Sequence, residues 1–244
     1  HSYQPTAEDL EKIASCDLFI YVGGESDEWV EDALKSKTNK NRVEINLMDA
    51  LGDSVKEEEE VEGMQAEDEH EHEGDEAESE EPEQDEHIWL SLKMAPVFCE
   101  KIADAVSQLD PANEDIYRKN LSGYQAQLKA LDAEFEQAVS KASGDVLLFA
   151  DRFPFLYLSQ DYGIHCHAAF PGCSAETEAS FETIVDLADD LITDKLSHIV
   201  ILKNSKKNLA QTIIRASEKQ DVRICELDSL QSVTSEDIDG GFTY

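Results

Sequence analysis

The sequence predicts an α/β protein of two lobes, each built on a parallel sheet, with one long helix joining them and a metal site in the cleft between the lobes. Three observations predict the architecture. Short apolar runs alternate with helical patterns over the first 50 residues, and they do so again from residue 145 onward. Between the two stretches, residues 112–143 keep helical spacing with no proline to break it. Strand, helix and strand at short intervals build a parallel sheet, because each crossover helix returns the chain to the same edge.

Each element follows from its own residues. In "PTAEDLEKIAS" (5–15), Pro and Thr precede acids in the first turn, and Leu10, Ile13 and Ala14 share one face, which starts a helix. "DLFIYVGG" (17–24) is a buried strand closed by two glycines, "DEWVEDALKS" a helix and "RVEINL" a second strand. After an acidic tract, order resumes at "HIWLSLKMAPVFCEKIADAVSQLDP". The long helix carries Ile116, Leu121, Tyr124, Leu128, Leu131 and Phe135 at helical spacing. The second half repeats the first in kind, with strands at "DVLLFAD", "IHCHAAF", "HIVILK" and "VRICEL". Helices at "FPFLYLSQDYG", 181–196 and "KNLAQTIIRASEKQ" separate them. The expected organisation is an N-terminal lobe over 1–111, with a disordered acidic loop at about 53–85, a linking helix over 112–143 and a C-terminal lobe over 144–244. A start without Met and an end on "GGFTY" make an internal piece of a longer protein the expectation, with both lobes truncated.

The charge narrows the function. The net charge is −35, and residues 57–86 hold 18 acidic side chains with no Lys or Arg, leaving 37 acidic against 20 basic residues elsewhere. Such a surface repels nucleic acid and anionic membranes and attracts cations. The tract itself, without period or core residues, reads as a solvated loop. Five cysteines with no C-x-x-C cannot form a closed disulfide framework. Cys16, Cys99 and Cys225 read as small buried hydrophobes, while Cys166 and Cys173 are near enough in sequence to leave their disulfide state open.

Parallel α/β sheets bind ligands at the carboxyl ends of their strands. That rule selects His1 before the first helix, His87 where order resumes, Asp151 and Arg152 after "VLLFA", and Asp228 after "VRICEL". Imidazole and carboxylate together suit Zn²⁺.

Four segments then carry a resemblance. "HSYQPTAEDLEKIASCDLFIYVGGESDEWV", "DEHIWLSL", "FPFLYLSQDYG" and "GCSAETEAS" resemble, in order, the segments of the zinc/manganese solute-binding proteins that serve ABC importers. The resemblance covers nearly the whole chain. It implies a binding protein and not an enzyme, which captures Zn²⁺ (or Mn²⁺) outside the cytoplasm and passes it to a membrane permease. A monomer follows, periplasmic or lipid-anchored at the cell surface. Carried over residue by residue, it makes His1 and His87 the first two metal ligands and Asp228 the carboxylate ligand. The family's third ligand falls on Arg152, which has no lone pair to give. Asp151, His165, His167 or water are the substitutes, and Arg152 is expected to turn toward Glu176 or Glu178. His70 and His72 are expected to gather metal on the acidic tether. A metal-dependent hydrolase and an adhesin-type or manganese-binding surface lipoprotein are the alternatives.

Overall fold

The computed structural model of the chain describes residues 3–59, 61–64, 84–172 and 178–241. It divides into two compact units, residues 1–57 with 84–141 and residues 58–83 with 142–244. Both are α/β with parallel sheets, as the sequence predicts.

In the first unit, α1 (Ala7–Ser15) begins at a reciprocal cap. The Thr6 hydroxyl accepts from the Asp9 amide and the Asp9 carboxylate accepts from the Thr6 amide, so two otherwise unpaired donors are satisfied. Strand β1 (Leu18–Tyr21) pairs in parallel with β2 (Val43–Asn46), with α2 (Glu28–Lys35) in the crossover. Beyond β1 the chain turns sharply, and the Asp27 carboxylate accepts from the amides of Val22 and Gly23, both at 3.0 Å. Gly23 has φ +93°, and a Cβ there would lie 2.5 Å from Asn46 Oδ1. Asn46 needs that position, because its side chain caps α3 (Leu47–Leu51) through the amides of Met48 and Asp49.

Helices α4 (Ala95–Leu109) and α5 (Glu114–Lys141) complete the unit. The α5 helix has 28 residues and so runs about 42 Å at ~1.5 Å per residue. It starts two residues later than the sequence pattern because Pro111–Asn113 forms a 3-10 turn. Arg118 pairs with Asp104 of α4 at 2.6 Å and the Tyr117 hydroxyl donates to Asp110 at 2.8 Å, so the start of α5 is pinned to α4.

The second unit has a four-stranded parallel sheet in the order β4-β3-β5-β6, with β3 Val146–Phe153, β4 His165–Pro171, β5 His198–Leu202 and β6 Arg223–Leu227. The connections are α6 (Leu156–Tyr162), α7 (Phe181–Thr193) and α8 (Asn208–Ala216). Leu148, Ala150, Ile199 and Ile201 pack in one core with Leu187, Ala188 and Leu191 of α7 and Ala210 and Ile213 of α8. Phe149, on the other face of β3, meets Phe153 and Phe155 at 5.2 and 5.3 Å between ring centroids. A central parallel strand covered on both faces reads as an unbroken apolar run, which is why "VLLFA" and "HIVIL" do not alternate. From β3 the chain passes first to one side, to β4, and then to the other, to β5. The point where the direction reverses lies between β3 and β5, and their carboxyl ends are where such a sheet opens toward a ligand.

Two sequence expectations change, and the structure adds one helix after β6. The described parts of the acidic tract take part in the fold, although Glu57, Glu59 and Glu62 stay exposed. Glu57 and Gln84 form an antiparallel bridge, and Asp85 and Glu86 are buried. Residues 61–64 lie against the second unit's sheet, where Glu62 bridges His167 and its carbonyl accepts from the Ala168 amide at 3.2 Å. Cys225 is exposed, because β6 is an edge strand; Cys16 and Cys99 are half-buried. The closing "SEDID" is a helix, α9 (Ser235–Asp239), set by a Thr234–Asp237 capping box.

Candidate metal centre

His87 is fully buried at the start of a 3-10 turn, Ile88–Leu90. Asp85, only 2% exposed, holds it twice. One carboxylate oxygen accepts from the His87 amide at 2.7 Å and lies 3.1 Å from Nδ1. A carboxylate on Nδ1 fixes the tautomer with the proton there, so the lone pair is on Nε2. Glu86 is turned elsewhere: its carboxylate accepts from the amide and hydroxyl of Ser26. Gly24, with φ +80°, lets it approach, since a Cβ at that position would lie 2.9 Å from Glu86 Oε2. Asp85 and Glu86 therefore divide the work, the first orienting the histidine and the second anchoring the loop to the turn after β1. The sequence reading missed both, although "DEH" at a break in polarity signals them.

Asp85→Asn is expected to weaken zinc binding by about 10-fold to 100-fold, the range typical of a carboxylate behind a ligating histidine. Competition with a chelator of known affinity reads the change. An unchanged affinity would mean that the Asp85–His87 contact is purely structural.

In the second unit, Arg152 and Asp228 lie at the carboxyl ends of β3 and β6, and both line one polar pocket of about 220 Å³. Lys203, directly after β5, lines it too and pairs with Asp228 at 2.7 Å. That hydrogen bond raises the lysine's pKa. The other Asp228 oxygen accepts from the Leu230 amide at 2.9 Å. Lys203 was not among the sequence candidates, yet the strand-end rule that chose Asp151 and Asp228 points to it equally.

Asp151 has a structural task. One oxygen accepts from the Arg152 amide at 2.9 Å and the other from the Leu202 amide at 3.0 Å. The strands β3 and β5 part here, and the β3–β4 register shifts between Phe149 and Arg152. Asp151 thus satisfies an amide that the opened ladder would otherwise leave unpaired.

His165 and His167 are not brought to this pocket. In the parallel register His165 lies opposite Val146, at the start of β3, whereas Arg152 lies opposite Phe170. His165 is exposed and 3.3 Å from Asp145. His167 sits among carboxylates, with Nε2 2.9 Å from Asp194 and Nδ1 3.2 Å from Asp190 and 3.9 Å from Glu62. Burial, opposed by His167, raises the Asp190 pKa. Cys166, between the two histidines, is a free thiol whose pKa burial pushes up to about 12.

His1, His70, His72, Cys173 and Glu176 lie outside the described residues. The expected turn of Arg152 toward Glu178 does not occur: Glu178 is exposed, and no ion pair joins the two. Among the described residues, no three His, Cys, Asp or Glu side chains converge into a metal cage. His87 fits a metal-ligating imidazole. Arg152 does not fit a ligand, and Asp228 meets any cation with Lys203 already beside it.

Three comparisons bear on this geometry. The family model described as ZnuA, the periplasmic component A of a zinc-uptake complex, matches residues 1–244. The zinc-binding lipoprotein AdcA of Streptococcus pneumoniae is 29% identical over 248 residues, covering 100% of this chain and 46% of that protein. The chain thus spans about half the length of the AdcA relatives it matches. The high-affinity zinc uptake system protein ZnuA of Bacillus subtilis is 28% identical over 247 residues, covering 100% of this chain and 72% of that protein. The crystal structure of the Zn(II)-bound ZnuA-like domain of S. pneumoniae AdcA superposes with a TM-score of 0.71 at 26% identity, covering 100% of this chain and 80% of that one.

Proposed function

This chain belongs to the ZnuA family of zinc-uptake components, and we infer that it captures Zn²⁺ outside the cytoplasm and delivers it to the membrane permease of an ABC importer. It is a binding protein, and zinc is its cargo. The observation that carries this reading is the buried His87, with its Nδ1 held by a buried carboxylate. We take His87 and Asp228 as zinc ligands, with His1 as a further imidazole. The protein acts as a monomer, periplasmic or lipid-anchored at the cell surface. Its working parts are an N-terminal lobe over 1–111, the linking helix 112–143 and a C-terminal lobe over 144–244.

Calorimetric titration of the chain with Zn²⁺ and, separately, Mn²⁺ tests the reading. One tight zinc equivalent, with weaker manganese binding, is the expected result. No tight zinc equivalent would overturn it.

The acidic tether adds capacity to this main site. Carboxylates concentrate cations, and the imidazoles of His70 and His72 favour a borderline metal. Residues 61–64 and 84–86 are part of the fold, so the replacement is confined to residues 65–83. Replacing them with a Gly/Ser linker of equal length is expected to abolish the weaker additional zinc equivalents and to leave the tight one. Loss of the tight equivalent in the same titration would place a primary ligand within the tether.

A further inference from the structure

The pocket at the strand ends of the second unit has the wrong charge for a bare metal half-site. Arg152 comes from the end of β3 and Lys203 from the end of β5, the two strands that flank the reversal of chain direction. Asn204, Ser205 and Ser229 add polar atoms to the wall, and among the described residues Asp228 is its one acid, already paired with Lys203. Arg152 is half-buried, and among the described residues its guanidinium has no hydrogen bond and no ion pair. A guanidinium presents a planar fork of donors that matches two oxygens of a carboxylate, carbonate or phosphate. The loops that shape the pocket are held in unusual conformations: Leu230, beside Ser229, has φ 58° and Asn204 has φ 67°. A left-handed leucine is costly and persists where the surroundings demand it.

We propose that this pocket binds a small oxyanion, seated on Arg152 and Lys203, which supplies zinc with the oxygen donor that Arg152 cannot provide. The guanidinium takes two anion oxygens, and the ammonium of Lys203 is shared between Asp228 and the anion. A remaining anion oxygen faces the solvent side of the pocket as a metal donor. Arg152 is then the residue that holds a replaceable third ligand. The anion site stands on the second unit alone; its coupling to zinc rests on the function inferred above. Coupling of this kind is reciprocal, so anion must tighten zinc and zinc must tighten anion by one factor.

The whole chain, free of metal and in a chloride buffer, is titrated calorimetrically with phosphate, acetate and bicarbonate in separate arms. A protein of net charge −35 repels anions in general, so saturable binding of one equivalent needs a local cationic site. One equivalent in at least one arm is the expected result, and the arms tell a phosphate site from a carboxylate or carbonate site. Arg152→Gln and Lys203→Met are each expected to weaken that binding at least 10-fold, with Arg152→Lys intermediate and Lys195→Met unchanged. Unsaturable heats in every arm, or equal affinity in Arg152→Gln, would overturn the site. Zinc affinity is then measured with and without the saturating anion. An increase of several-fold in the native chain, absent in Arg152→Gln, is expected, and no increase would overturn the coupling while leaving the anion site. Failure of zinc to bind tightly under any condition would instead sink the functional reading, a result separate from the metal-free titrations. Circular dichroism melts identify a variant that fails to fold, in which case Lys203→Met and Arg152→Lys carry the test.

Discussion

His87→Ala is expected to lower zinc affinity by about 100-fold or more, equivalent to ~2.7 kcal/mol of binding free energy. The size follows from what the ring supplies. Structural and transport zinc sites use few protein ligands, and each imidazole lost must be replaced by water. His87 is also pre-oriented, because Asp85 and the buried turn fix the ring before metal arrives, so little ordering cost is incurred on binding. The substitution has a second effect. Asp85 is 2% exposed, and the substitution takes the imidazole contact away from a buried carboxylate. A stability loss of about 1–3 kcal/mol should accompany the loss of affinity. The two effects separate experimentally, since urea unfolding of the metal-free proteins reads stability and competition titration of the folded protein reads affinity. Equal zinc dissociation constants for both proteins would remove His87 from the site.

The fold was legible where burial on both faces or a cap left a local mark. "VLLFA" and "HIVIL" could be only buried strands or buried helix pieces, and their length and flanks decided for strands. Thr6 and Asp9 announced α1 by spacing alone. The same spacing is present at Thr234 and Asp237, where it sets α9, but only five residues follow it before the glycines. The helix α3 left a fainter mark: its five residues are too few for a periodic pattern, and only the Asn46 cap signals it. Cys225 illustrates a different limit. Residue type gives a mean burial, whereas an edge position is a property of strand order, which no local pattern contains.

The candidate site was legible in part for the same reasons. His87 stood out because it lies at the junction of a charged and an apolar segment. Its orienting partner did not, since Asp85 is one of 18 acids in the tract by composition and differs only by being buried. Asp151 had the right type and the right place for a ligand, but both its oxygens serve backbone amides at the parting of β3 and β5. Lys203 had the place and the wrong type for a metal site, so a search for ligands passed over it. A search for strand-end polar groups of either charge would have found Arg152, Lys203 and Asp228 together.

Arg42→Ala is expected to destabilise the first unit by about 3–5 kcal/mol, the range for breaking a buried charged network. The Arg42 side chain is fully buried and serves four partners. Nη1 donates to the carbonyls of Ile13 at 2.8 Å and Ser36 at 3.2 Å, and Nη2 to that of Leu34 at 3.0 Å. Nε and Nη2 both donate to Glu44, at 3.1 and 2.8 Å. The carbonyls lie at or next to the C-terminal ends of α1 and α2, where a helix cannot satisfy its own acceptors. One side chain therefore closes two helix ends and ties them to β2. Alanine would remove all five of these hydrogen bonds; Ile13 O would keep the Cys16 thiol and Glu44 would keep Lys37, while the donors that Arg42 gives to Leu34 and Ser36 would be lost. Such a loss is a large fraction of the ~5–15 kcal/mol that holds a domain folded. The pH dependence gives a second signature. Hydrogen bonds from Arg42, then from Lys37, hold the Glu44 carboxyl below the ordinary glutamate range. A folded-state pKa below the unfolded one gives stability that is complete above the unfolded value, roughly 4.3, and is lost as pH falls through the folded value. Urea unfolding between pH 7 and pH 3 should thus show the native and Arg42→Ala curves converging on the acid side. Parallel curves across that range would mean that the Arg42–Glu44 pair contributes nothing to stability, and that the cost of the substitution lies wholly in the helix-end carbonyls.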